Sequence, residues 1–174
     1  MGKTVVLYAT RYGTTERYAQ EIASRLGCEA VNVKNWKPGR FRDYDTVVFG
    51  GPLYAGAIRG VKAITQHEAE LAGKRLVVFT VGMAKEDAPS LTGMRESNFG
   101  QTLRERIAFF HLRGTMDYGR LGPLHRAMMW GMNAAVRKME EPTEEMRLIA
   151  QTYGKNTDWT DRAAAGRVAE AARG

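Results

Sequence analysis

The stretch VVLYATRYGTTERYAQEIASRL, from Val5 to Leu26, constrains the chain more than any other. Its first half is a short unbroken apolar run, which reads as a strand buried on both faces, as in a parallel sheet covered by helices. After Ala9 come small and polar residues around Gly13. Tyr18, Ala19, Ile22, Ala23 and Leu26 then recur at helical spacing, with Gly27 as a left-handed stop. A buried strand that turns straight into an amphipathic helix is half of a βαβ unit. The first amides of such a helix are left without intrahelical partners, just beyond the end of the strand.

Four more runs have the same character: CEAVNV from Cys28, TVVFG from Thr46, RLVVFTVG from Arg75 and AFFHLRGTMDY from Ala108. With TVVLYA from Thr4 they make five strands. Between them, Val61, Ile64 and Leu71 mark a helix ended by Gly73, and the segment from Ser97 to Ile107 reads as helical. KNWKPGRFRDYD from Lys34 carries Pro38 and Gly39 and reads as a loop. TDRAAAGRVAEAA from Thr160 predicts a closing helix that Thr160 or Asp161 can cap. The expectation is α/β architecture in one domain, residues 1–174, with a parallel sheet and helices on both faces.

Composition narrows the function classes. At 174 residues, 44% apolar and 26% charged, the chain has the makeup of one globular domain rather than a disordered or fibrous one. A single cysteine, Cys28, excludes an internal disulfide and a cysteine metal cluster within the chain, and fits a reducing cytoplasm. No apolar run approaches the roughly 20 residues of a membrane span, and MGKTVVLYAT lacks the apolar core of a signal peptide. Net charge is +7, which suits anionic lipid, nucleic acid or a carboxylated substrate as well as a generic basic surface.

The first turn carries the chemistry. Hydroxyls of Thr10, Thr14 and Thr15, together with free amides in a turn tightened by Gly13, can wrap a phosphate monoester at a helix N-terminus. The alternative is that Thr14 or Thr15 only caps the helix. Neither G-x-x-x-x-G-K-[ST] nor G-x-G-x-x-G follows a strand, which argues against a P-loop nucleotidase and a dinucleotide fold.

Thr10-Arg11-Tyr12-Gly13-Thr14-Thr15 resembles the flavodoxin phosphate loop T-x-T-G-x-T, with Tyr12 at its third position. VVFGGPLYAGAI from Val47 resembles the third strand of that family and the loop on one flavin face. VVFTVGMAKED from Val77 is similar to the fourth strand and the second flavin loop. The resemblance implies a flavodoxin-like five-stranded sheet of order 2-1-3-4-5 and an FMN cofactor. It assigns cofactor contacts to those six loop residues, to Gly51, Pro52, Leu53, Tyr54, Ala55 and Gly56, and to Gly82, Met83 and Ala84. Tyr54 is the aromatic available to stack on the ring. Backbone amides at Gly50, Gly51, Gly82 and Met83 can meet the ring edge, although these glycines can equally just end strands.

A narrower resemblance rests on RGTMDYGRLGPLHRAMMWGMNAAVRKM and on NTDW from Asn156. Both are similar to the flavodoxin-type, menaquinone-dependent protoporphyrinogen IX dehydrogenases. That likeness implies hydrogen transfer from a porphyrinogen to FMN and onward to a quinone, at the inner face of the cell membrane. Arg113, Arg120 and Arg126 would then pair with propionates, or else be ordinary surface arginines.

Within the extra segment at about 118–140, Leu121, Leu124, Met128, Met132, Ala135 and Met139 form one helical stripe, with Arg126, Asn133 and Arg137 on the other face. The stripe predicts packing on the protein's own core. Trp130 falls among the polar residues, where it suits a membrane, a quinone or a flat macrocycle. His125 reads as a structural histidine, and His67 and His111 show no ligand spacing, so no metal is expected; nor is a nucleic-acid partner. Two other functions stay open: an electron-transfer protein serving another redox protein, and a flavin-binding interaction or sensor module using this helix.

Overall fold

The apolar runs do become a parallel sheet. The computed structural model describes residues 2–37 and 39–174. Its strands in chain order are β1 (Thr4–Tyr8), β2 (Glu29–Asn32), β3 (Thr46–Tyr54), β4 (Ala57–Ile58), β5 (Arg75–Gly82), β6 (Ile107–Arg113), β7 (Thr115–Met116) and β8 (Thr157–Asp158). The long strands pair in parallel in the order β2-β1-β3-β5-β6, which is 2-1-3-4-5 when the two-residue β4 is set aside. Register places Val5 beside Glu29 and Val47, Val47 beside Leu76, and Leu76 beside Ile107. β4 folds back antiparallel on the end of β3.

Alternation along the strands makes two cores. Val5, Leu7, Val47, Phe49, Leu76 and Val78 face one side, where α2 (Lys62–Thr65), α3 (Ser90–Asn98) and α4 (Gln101–Arg106) supply Ile64, Leu91, Met94 and Leu103. Val6, Val48, Val77 and Phe79 face the other side. There α1 (Thr14–Leu26) and the closing helix (Arg162–Arg173) bring Ala19, Ile22, Ala165 and Val168. Asp161 caps that closing helix by accepting from Ala163 N at 2.8 Å. Gly50 serves packing, because a Cβ there would lie 2.1 Å from the Phe79 ring.

Three elements before β6 differ from expectation. The helix expected to run from Val61 to Gly73 is helical only over Lys62–Thr65, and turns bury Leu71 from there on. His67 N bonds to Ile64 O, three residues back, which tightens the chain out of the α-helix. α3 was not anticipated. Its residues Ser90–Asn98 bury only Leu91 and Met94, too sparse a stripe to read. The loop from Lys34 holds two 3₁₀ turns, Val33–Asn35 and Arg40–Asp43, and Phe41 anchors it in the core; Pro38 lies outside the described residues.

Beyond β6 the chain leaves the sheet and later returns. β7 pairs antiparallel with β8, setting Thr115 opposite Asp158 and Met116 opposite Thr157. Between them lie a 3₁₀ turn at Tyr118–Arg120, α5 (Pro123–Val136) and α6 (Glu144–Thr152), with α5 packed on α6. The closing helix is therefore α7. The expected apolar stripe of α5 is rotated from its predicted place. Leu124 is 77% exposed, Met132 and Met139 are also exposed, and the buried residues are His125, Met129, Asn133 and Val136. α5 packs against α6 and two loops at the end of the sheet, so tertiary contacts set its inward face and polar side chains enter it. Asn133, expected on the polar side, is buried with its Oδ1 unpaired. Trp130 is 65% exposed.

Candidate functional site

At the carboxyl ends of β1, β3 and β5 lies a cavity of about 410 Å³, within the size range of small-molecule and cofactor sites. Its first wall is the turn after β1. Gly13, at φ 92°, is the N-cap of α1 and offers no side chain to the helix. The first intrahelical bond runs from Arg17 N to Gly13 O, so the amides of Thr14, Thr15 and Glu16 have no acceptor within the helix. This excludes the reading in which a threonine merely caps the helix. Thr10 Oγ1 accepts from Gly13 N at 3.1 Å and shapes the turn, while Thr10, Arg11, Tyr12, Thr14 and Thr15 line the cavity. An anion fits here, facing free amides and a positive dipole end.

A second wall is the hairpin from β3 to β4. Tyr54 pairs with Ala57, leaving Ala55 and Gly56 as a two-residue turn in which both have positive φ, 45° and 80°. That is the type I′ pattern, and alanine is strained there. Asn98 clamps the turn from α3: its Nδ2 donates to Gly56 O at 2.7 Å and its Oδ1 accepts from Ile58 N at 2.9 Å. Pro52, Leu53, Tyr54, Ala55 and Gly56 line the cavity. Gly51 does not. A Cβ there would lie 2.6 Å from Arg59 O, so this glycine lets the hairpin fold back.

The third wall follows β5, where Gly82, Met83 and Ala84 line the cavity. His111 on β6 supports it from below. Its Nδ1 lies 2.7 Å from Thr80 Oγ1, and a Cβ on Gly82 would lie 3.0 Å from its ring. Burial pushes the imidazole down to about 4, so it is neutral near pH 7.

The excursion between β7 and β8 adds a fourth wall, part of which falls in the extra segment expected at about 118–140. Thr115 Oγ1 lies 2.5 Å from Thr14 Oγ1, joining the ribbon to the first turn of α1. Leu121, Met128, Met129 and Met132, with Leu148 and Ile149 of α6, make an apolar outer face. Charges at the rim are balanced, with Arg11 and Arg120 against Asp117 and Glu145. The α5 side of this wall was legible in the sequence from 118 to 140, whereas nothing in the sequence pointed to α6.

The four residues expected to meet substrate or membrane are scattered. Arg120 lines the cavity. Arg113 lies over the Trp159 ring at 4.1 Å. Arg126 donates to the carbonyls of Tyr118 and Gly119 at 3.2 and 3.1 Å, and Trp130 stands outside on the surface. Thr157, Asp158 and Trp159 close the ribbon: Trp159 N donates to Gly114 O, and Asp158 Oδ1 accepts from the amide and hydroxyl of Thr160.

The sheet order and the cavity at the carboxyl ends of its strands define a doubly wound α/β protein with a small-molecule site at the usual place for that architecture. The chain belongs to the flavodoxin domain family, whose model matches residues 5–145. Its backbone is similar to that of a flavodoxin from the domain Archaea, at 11% identity, 99% of each chain covered and a TM-score of 0.48. It is similar to oxidised flavodoxin 2 from Bacillus cereus, at 15% identity over 95% of this chain and 98% of that one, with a TM-score of 0.46. It also resembles a flavoprotein from Lactobacillus acidophilus in complex with FMN, at 13% identity over 65% of this chain and 93% of that one, TM-score 0.41. No curated protein matches the chain. Among the described residues no helix is long and apolar enough to cross a membrane, and no group of three or more His, Cys, Asp or Glu is placed to hold a metal ion.

Proposed function

We propose that this protein binds FMN and works as a flavodoxin-type redox protein, passing electrons between partners. One observation carries the reading. The uncapped α1 N-terminus, the Tyr54 hairpin and the Gly82–Ala84 loop border the same cavity, a phosphate seat beside two walls suited to a flat ring. When bound, FMN supplies reversible one- and two-electron chemistry. The chain's own part is binding and orientation. Amides of Thr14, Thr15 and Glu16 with the Thr15 hydroxyl hold the phosphate, Tyr54 offers an aromatic face, and the backbone at Gly82–Ala84 meets the ring edge. Met128, Met129, Leu148 and Ile149 exclude water from the outer side.

A second reading, oxidation of a protoporphyrinogen with a quinone as acceptor, is favoured by that apolar outer face, which is more than an electron carrier with an open cofactor edge requires. Arg120 is then the side chain at hand for a carboxylate of the macrocycle. In either reading the exposed Leu124 and Trp130, beside Arg126, suit contact with an anionic membrane surface or a redox partner. The test is anaerobic turnover of FMN-loaded protein with protoporphyrinogen and a menaquinone analogue, against a flavin-free control. Flavin-dependent turnover selects the oxidase reading. Electron delivery only to a protein acceptor selects the carrier, and failure to retain FMN removes both.

A further inference from the structure

His125 is the residue through which α5 touches the cavity loops. It lies in the first turn of α5 and is 4% exposed. Three contacts converge on its ring. Nδ1 lies 2.5 Å from Tyr12 Oη, the Tyr12 ring meets it edge-on at 5.8 Å, and Tyr54 stacks on it at 4.3 Å with a 34° tilt. Tyr12 belongs to the phosphate turn and Tyr54 to the hairpin, so one imidazole joins the first two walls of the cavity to the fourth.

The chemistry of the ring suits that place. Burial, with the neighbouring Arg11 and Arg59 guanidiniums, holds the imidazole below its ordinary value, and a neutral ring can accept the Tyr12 hydroxyl proton at Nδ1. Tyr54 also lines the cavity, whereas His125 does not, so the phenol ring stands between the imidazole and the ligand space. No acid or base role follows, because the imidazole is screened from that space.

We infer that His125 is a positioning residue, a rivet that holds the Tyr12 and Tyr54 rings at the cofactor cavity and fastens the α5 wall to them. The effect on flavin rests on the FMN reading above; the fastening of α5 does not. Two consequences follow. Flavin bound against Tyr54 depends on a ring it never touches, and Tyr12 spends its hydroxyl on the rivet rather than on phosphate.

The experiment uses the full chain with and without FMN, and the variants His125→Phe, His125→Asn and Tyr12→Phe. His125→Phe keeps an aromatic ring behind Tyr54 but loses the acceptor. His125→Asn keeps an acceptor near the Nδ1 position but loses the ring, and Tyr12→Phe removes the hydroxyl from a half-buried loop residue. The readouts are the FMN release rate, the visible circular dichroism of bound flavin, and amide exchange of α5 in the flavin-free protein.

Each variant should release FMN about three- to tenfold faster, alter the flavin dichroism and speed exchange across α5 while the sheet stays protected. Tyr12→Phe combined with His125→Phe should add little to either alone. Unchanged release, dichroism and α5 exchange, with only a lowered Tm, would leave His125 a core residue and overturn the inference. If the His125 variants do not fold, Tyr12→Phe decides by the same measurements. If the wild type retains no FMN, the cofactor reading fails while α5 exchange still tests the rivet.

Discussion

Acid should weaken this fold through His111, beginning at a pH where ordinary carboxylates are still charged. The imidazole is 2% exposed, its Nδ1 is held against Thr80 Oγ1, and burial sets it at about 4 instead of the ordinary 6.5. In the unfolded chain the ring takes up a proton near 6.5, whereas the folded protein resists until about pH 4. The native state therefore binds fewer protons between those values. Stability is complete above pH 6.5 and falls as the pH drops. At roughly 1.36 kcal/mol per pH unit, the loss reaches about 3 kcal/mol by pH 4, a large share of the ~5–15 kcal/mol typical of a domain. Urea unfolding at pH 7, 6, 5 and 4, followed by circular dichroism, measures it in the wild type and in His111→Asn. The Asn Oδ1 can still accept from Thr80, and the variant is expected to start less stable because a smaller side chain leaves a cavity. Its curve should nonetheless be flatter, so the two converge by about 3 kcal/mol at pH 4. His125, Asp158 and Glu21, whose values are also lowered, are common to both proteins and cancel in the difference. Parallel curves would show that His111 carries no proton linkage.

Under the proposed FMN reading, Thr15→Ala should weaken FMN by ~1.5–3 kcal/mol in titration calorimetry and leave riboflavin unchanged, because the hydroxyl would meet only the phosphate; equal losses would put the phosphate elsewhere. Thr14→Ala should also lower the thermal midpoint, since Thr14 holds Thr115 of the ribbon. Ala55→Asn should stabilise the protein by roughly 1 kcal/mol in urea unfolding, as asparagine tolerates the left-handed turn that alanine occupies at φ 45°; an unchanged or lower midpoint would mean the turn is unstrained. Trp130→Ala should keep stability within ~0.5 kcal/mol, because the indole is 65% exposed, while reducing binding to anionic liposomes in a flotation assay. Unfolding of that variant would assign the indole to the fold.

Features written in short-range chemistry could be read from the sequence. The five strands of the parallel sheet were legible, four of them as largely apolar runs, and so was the tight turn at Gly13 that leads from the first strand into α1. Hairpin residues from Pro52 to Gly56 and the loop from Gly82 to Ala84 could be placed by their order along the chain. Features that depend on distant partners could not. The inward face of α5 is set by contacts with Tyr12 and Tyr54, which lie in two loops far earlier in the chain, so His125 takes the buried position that periodicity favoured for Leu124. Gly50 and Gly51 read from the sequence either as amides for a ring edge or as strand ends, and the structure gives each a packing role, one making room for Phe79 and the other for the returning hairpin. Arg113 and Arg126, open in the sequence to a propionate or to an ordinary surface role, are engaged by the Trp159 ring and by the carbonyls of Tyr118 and Gly119, partners that only the folded chain brings near.

The two-residue ribbon of β7 and β8 gives the chain between them a common point of departure and return. Everything from Asp117 to Asn156 begins and ends at one staple, reinforced where Tyr118 N donates to Asn156 Oδ1. The sheet strands all lie outside that stretch, so it can swing or loosen without unpairing any of them. In evolutionary terms such an excursion is an exchangeable cassette. Its length and outer side chains can be rewritten to suit a new partner without touching the sheet, provided that the His125 contacts with Tyr12 and Tyr54 are kept.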